Sequence, residues 1–161
     1  MANTVITIGR EFGSGGRELA RRLAKTTAKE GLILSLPSTI ANYYMEEMRH
    51  QKQEHMKLLM LNSKSKLLGE KNISKGTVNA SLVSPRELFI EALEKQAVAI
   101  ILIHNHPSGD SSPSQEDINL TLKIKQSAQY FNIQLVDHLI IGRNEYFSFS
   151  ADSSNFEKML M

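Results

Sequence analysis

Leu58-Leu59-Met60-Leu61 and Ile100-Ile101-Leu102-Ile103 are unbroken apolar runs. Runs this short, with no polar alternation, predict strands buried on both faces. The first belongs to a strand over 53–62. Asn62-Ser63-Lys64-Ser65 then reads as a turn, and 66–73 as the return strand of a hairpin. The second run lies in a strand over 97–103. Further along, 133–141 reads as a strand, 142–144 as a turn and 145–150 as its hairpin partner. Between the strands the period changes to that of helices. Ser38 is the expected N-cap of a helix reaching Gln51, with Ile40, Tyr43, Tyr44 and Met48 on its apolar stripe. Ser84-Pro85-Arg86-Glu87 has a cap, a proline at the first helical position and a glutamate three residues after the cap. The helix it opens extends to Gln96 and buries Leu88, Phe89, Ala92 and Leu93. A third helix, from Ser114 to Phe131, repeats the capping-box spacing with Asp117. Helices alternating with hairpins give a mixed sheet flanked by helices, of class α/β (α+β).

Composition narrows the chemistry. The 161 residues suit a domain able to bury a real core. A formal charge of +2 is too small to drive nucleic-acid binding by electrostatics alone. With no cysteine in the chain, any metal must be held by histidine and carboxylate. No apolar run approaches the roughly 18 residues of a membrane span, and no signal-like apolar core opens the chain. A cytoplasmic protein without a membrane partner is the expectation.

The second apolar run ends in His104-Asn105-His106, and Pro107-Ser108-Gly109-Asp110 follows. Residues i and i+2 of a strand share a side, so both imidazoles can aim at one point past the buried strand. Asp117, one turn into the returning helix, can bring a carboxylate to the same point. Two nitrogens and one carboxylate leave the fourth position of a tetrahedral Zn2+ open for water, the arrangement of a hydrolytic site.

Two resemblances accompany these patterns. The opening Ile6-Thr7-Ile8-Gly9-Arg10-Glu11-Phe12-Gly13-Ser14-Gly15-Gly16-Arg17-Glu18-Leu19 resembles the start of cytidylate-kinase-like P-loop proteins: a strand over 4–8, a Gly-rich loop and a helix over 18–29. Arg17 and Glu18 stand where that family's loop ends in Lys and Ser/Thr, and no parallel-sheet series follows. Nucleotide binding there is a separate expectation, and residues 1–35 are read as an N-terminal segment with its connector.

The spacing His104-Asn105-His106, seven residues, Ser114, two residues, Asp117 resembles the metal motif of the JAMM/MPN+ metalloproteases. Within them, Lys75-Gly76-Thr77-Val78-Asn79-Ala80-Ser81-Leu82-Val83, Ser84-Pro85-Arg86-Glu87-Leu88-Phe89, His106-Pro107-Ser108-Gly109-Asp110 and Val136-Asp137-His138-Leu139-Ile140-Ile141-Gly142 resemble the RadC family, known as DNA repair protein RadC. The resemblance implies a cytidine-deaminase-like JAB/MPN fold over residues 36–150, followed by a tail over 151–161. It also implies a zinc metallohydrolase acting on a peptide or protein amide. His104, His106 and Asp117 would be the metal ligands and Glu54, at the start of an early strand, the general base. Ser114 would cap its helix, donate to an oxyanion, or do both.

Bland readings stand beside these roles. The histidines can make ordinary hydrogen bonds at a strand end, Asp117 can serve the capping box alone, and Glu54 can be a surface residue. Asp110 is a rival base with a turn role, Asp137-His138 either an outer-shell or a purely structural pair, and Glu116 a solvent-facing residue. The alternative function is a non-catalytic module associated with DNA or DNA-repair proteins, its metal site structural or vestigial. RadC-like proteins carry a helix-hairpin-helix region ahead of this domain, and here the P-loop-like segment occupies that place. Nucleobase deamination on the related fold needs a cysteine-containing zinc triad, which this chain lacks.

Overall fold

The computed structural model describes residues 32–75 and 83–152. The P-loop-like segment, most of the 76–83 loop and the tail beyond Asp152 lie outside the described residues. The element order is α1 (Pro37–Met48), β1 (His55–Leu61), β2 (Leu67–Lys75), α2 (Pro85–Glu94), β3 (Ala99–Asn105), α3 (Gln115–Tyr130), β4 (Gln134–Ile141) and β5 (Tyr146–Ser148). The strands form a sheet of order β2-β1-β3-β4-β5. Its β3–β4 pair is parallel and the other neighbours are antiparallel.

The two apolar runs lie side by side at the centre of the sheet, with Leu58 paired to Leu102 and Met60 to Ile100. Alternation sends Met56, Leu58, Met60, Ile100 and Leu102 to one face, against Leu88, Phe89 and Ala92 of α2 and Leu120, Ile124 and Ala128 of α3. Leu59, Leu61, Ile101, Ile103, Leu139 and Ile141 take the opposite face, under Ile40, Ala41, Tyr44 and Met48 of α1. The sheet is therefore sandwiched, as the mixed pattern of elements implies.

Local chemistry explains the boundaries. Asn62 Oδ1 accepts from the N–H groups of Lys64 and Lys66, which folds the β1–β2 turn. α2 and α3 both stop in Schellman motifs, with Gln96 and Asn132 in the left-handed region at φ 52°. Their paired bonds run from Gln96 N to Leu93 O and Ala97 N to Ala92 O, and from Asn132 N to Gln129 O and Ile133 N to Ala128 O.

Several expectations are corrected. α1 begins at Pro37 with Leu36 as N-cap, not at Ser38, because proline takes the first helical position. Tyr43 leaves the stripe and is 38% exposed. Ser84 caps α2 by position only, and its side chain makes no cap hydrogen bond. Leu93 is 49% exposed and lines an open apolar groove with Ile90, Tyr130 and Phe131, since Leu88, Phe89 and Ala92 already define the buried stripe. Within the expected connector, Ile33 makes an antiparallel bridge to Lys66. β3 begins and ends later than expected, so His104 lies inside the strand rather than beyond it.

Candidate metal centre

β3 carries His104 on the face that α3 covers, where its ring is fully buried. Met56 of β1 and Ile140 of β4 are its lateral neighbours in the sheet. His106 follows the strand end, held by its N–H to the carbonyl of Ile141 at 3.0 Å. Asp117 sits at the third position of α3 in a complete capping box. Its backbone N–H donates to Ser114 Oγ, while Ser114 N and Oγ donate to Asp117 Oδ2 at 2.8 and 2.6 Å. Strand and cap thus aim three side chains at one point. One ligand atom from each of His104, His106 and Asp117 lies within 4.8 Å of the others. Glu116 is exposed, as read.

The loop between β3 and α3 is tied down on both sides. His106 Nδ1 donates to the carbonyl of Asp110 at 2.9 Å. Gly109 turns the loop at φ +91°, where a side chain would be strained, and its carbonyl accepts from Arg143 N at 2.9 Å. A Cβ on Gly142 would lie 2.5 Å from that same carbonyl, so the β4–β5 turn can pass this close only with glycine. The Asp110 carboxylate accepts from Ser112 N at 2.8 Å, and this bond lowers its pKa. The residue serves its own turn and orients His106 through its backbone.

His104 Nε2 and His106 Nε2 are 3.1 Å apart. Asp117 Oδ1 is 3.1 Å from the first and Oδ2 is 3.4 Å from the second. Metal–ligand bonds of about 2.05 Å at a tetrahedral centre place ligand atoms about 3.3 Å apart; the two nitrogens stand near that spacing, and each has a different Asp117 oxygen within 3.4 Å. The chemistry agrees. A carbonyl only accepts, so His106 Nδ1 carries the ring hydrogen and Nε2 of the neutral ring presents a lone pair to a carboxylate that also only accepts. Lone pairs crowded in a buried site require a cation, either a proton or a metal ion. The proton's claim is visible in the shifts. Hydrogen bonding to Asp117 raises the pKa of His106 against the opposing effect of burial. Burial pushes Asp117 up, but the hydrogen bonds that His104 and His106 give it once a proton is taken up outweigh burial and hold the carboxyl well below its usual range.

Asn105, between the two histidines, points to neither of them and is buried. Its Oδ1 accepts from His55 N at 2.9 Å and its Nδ2 donates to Gln53 O at 3.2 Å, which grips the backbone on both sides of Glu54. Glu54 is half-buried, and its charge contributes to the raised pKa of His106. Behind His104 stands His138 of β4, with Nε2 2.8 Å from His104 Nδ1. Burial, then the neighbouring His104, lowers the pKa of His138 far below the usual histidine range. Thr121 completes this group at 2.6 Å from His138 Nδ1. Asp137 turns away, accepting from His138 N, Ser150 N and Ser148 Oγ. The pair therefore divides, His138 toward the site and Asp137 toward the β4–β5 corner. Nothing in the sequence pattern singles out Thr121 or Asn105. The signals available are a threonine four residues after Asp117 on the same helix face, and an amide at a buried strand position.

Comparison with known proteins agrees with this geometry. The family model described as RadC-like JAB domain matches residues 34–155. A UPF0758 protein of Clostridium kluyveri is 47% identical over 131 residues, covering 81% of this chain and 58% of the relative. One from Clostridium novyi is 44% identical with the same coverage. One from Alkaliphilus metalliredigens is 42% identical over 136 residues, 84% of this chain and 59% of the relative. The chain thus spans just under three fifths of the length of these relatives. Among the described residues no helix is long and apolar enough to cross a membrane. By its fold, its buried His104–His106–Asp117 group and these matches, the chain belongs to the RadC-like JAB domain family.

Proposed function

We propose that the protein is a zinc-dependent hydrolase that cleaves an amide bond in a peptide or isopeptide. The observation that carries this reading is the convergence of two imidazole nitrogens, 3.1 Å apart, and one carboxylate with an oxygen within 3.4 Å of each. Three protein ligands with one position open is the pattern of catalytic rather than structural zinc. Zinc held there supplies Lewis acidity, which brings the pKa of water toward neutrality and polarises a carbonyl.

The chain's own residues supply the proton handling. Glu54 takes the proton from the attacking water and passes it to the leaving amine. Asn105 keeps Glu54 in register with the histidines by gripping Gln53 and His55. Ser114 fixes the Asp117 carboxylate. Its hydroxyl hydrogen is engaged with Oδ2 at 2.6 Å, so donation to an oxyanion would require that bond to be exchanged. The cap is the role the geometry supports.

Elemental analysis of tag-free protein purified without chelator tests the metal. About one zinc per chain is expected, lost in His104→Ala/His106→Ala. A library of peptide and isopeptide-linked amides then tests the chemistry, with Glu54→Gln expected to abolish turnover. The reading fails if the protein neither holds nor takes up zinc, or if hydrolysis survives Glu54→Gln.

A further inference from the structure

We infer that Thr121 and His138 are positioning residues that set the tautomer of His104 through a one-way chain of hydrogen bonds. The inference rests on the metal reading for its consequence and on geometry alone for its mechanism. Thr121 Oγ1 lies 2.6 Å from the carbonyl oxygen of Asp117 and 2.6 Å from His138 Nδ1. The carbonyl can only accept, and the hydroxyl has one hydrogen to give. That hydrogen goes to Asp117, so Thr121 must accept at its other contact and His138 Nδ1 must carry a hydrogen. His138 is fully buried, stacked on Phe149 with ring centroids 5.2 Å apart, and its two hydrogen-bond partners are an alcohol and an imidazole. A second ring hydrogen would leave a buried cation there, so Nε2 keeps its lone pair. At 2.8 Å, His104 Nδ1 must then donate to it.

The outcome is fixed at the far end. Of the two nitrogens of His104, Nδ1 holds the hydrogen and Nε2 is left as the ligand atom, facing Asp117 Oδ1 at 3.1 Å. The chain starts at the backbone of Asp117 and returns to its carboxylate, so one helical turn of α3 positions both ligands. Metal-binding histidines gain orientation and basicity from such partners. Here the partner is a second histidine, whose own tautomer would be ambiguous without Thr121. Thr121→Val keeps the shape but removes the acceptor. His138 can then move its hydrogen to Nε2, donate to His104 Nδ1, and force the ligand nitrogen into its protonated form.

The test uses the full chain with 15N-labelled histidine, free of metal and at alkaline pH. Long-range proton–nitrogen correlations should show the Nδ1–H tautomer for both His104 and His138. Thr121→Val should give His104 a substantial Nε2–H population and weaken zinc binding about 10- to 100-fold in a chelator competition. His138→Gln, whose amide oxygen can still accept from His104 Nδ1, should hold zinc more tightly than His138→Leu. Wild-type His104 in the Nε2–H form overturns the inference whether or not the variants fold, and so does a folded Thr121→Val protein with unchanged tautomers. Correct tautomers in a wild-type chain that takes up no zinc would refute the hydrolase reading and leave the positioning chain standing.

Discussion

Two buried polar groups lie on opposite faces of the sheet at nearly the same level, and they are balanced in opposite ways. On the α1 face, Lys57 Nζ sits 2.8 Å from Glu47 and 3.6 Å from Glu70, and Tyr44 donates to Glu70 at 2.8 Å. Burial, then the charge of Glu70, raises the pKa of Tyr44 and keeps it a donor. Each close contact in this group joins a hydrogen-bond donor or cation to a carboxylate, and both carboxylates also keep some solvent. On the α3 face, one residue along β1, Met56 pairs with His104, and the group around that histidine has a surplus of acceptors. A closed account is the mark of a polar group that supports the fold. An open one, whose deficit is a cation, is the mark of a group that waits for a ligand.

Zinc at a hundred times its dissociation constant should stabilise the wild-type chain by about 2.7 kcal/mol, roughly 5–10 °C in Tm for a chain of this size. Calorimetry should find no such gain in His104→Ala/His106→Ala. Lys57→Met should cost about 2 kcal/mol, because it removes the cation between Glu47 and Glu70, both of which retain some solvent. Urea unfolding would measure that loss, and the zinc-induced gain should survive it. Equal loss of the gain would show that the two groups are one.

Gly142→Ala touches no ligand, yet its Cβ must displace the Gly109 carbonyl. A cost of about 1–2 kcal/mol is expected from overpacking, with weaker zinc binding as His106 shifts. Chelator competition on the folded variant checks the second effect. Ser114→Ala is the mildest change, about 1 kcal/mol for the lost cap. Zinc should bind less tightly because Asp117 loses a donor to Oδ2, and titration calorimetry would report it.

What the sequence disclosed follows the range of the interactions. The i, i+2 rule of a strand and the three-residue step of a capping box are local, so His104, His106, Ser114 and Asp117 could be grouped before any fold was known. The apolar runs marked β1 and β3 as central because a strand covered on both faces has no polar side to show. Serine favours the cap position, which points to Ser38, but Pro37 one residue earlier imposes its own fixed φ. Leu93 reads as core by its type, whereas the face of α2 that packs on the sheet is set by Leu88, Phe89 and Ala92. The parts that escaped notice span long distances along the chain. Asn105 reaches back to Gln53 and His55, and His138 meets His104 only because β3 and β4 are neighbours. No periodicity encodes those meetings.

The parallel pairing of β3 with β4 also bears on how the chain reaches this state. The β1–β2 and β4–β5 hairpins close over short turns, but β3 can meet β4 only after the site loop and all of α3 have been laid across the sheet. Closing that longer loop costs more chain entropy before any contact rewards it, so on topology alone it is the slower event. His104 and His106 are neighbours from the moment of synthesis, whereas Asp117 and the His138 support arrive with the crossover. An ion met early finds two mobile imidazoles. The same ion met late finds a finished, oriented group, so the order of folding sets when the chain could hold a metal ion.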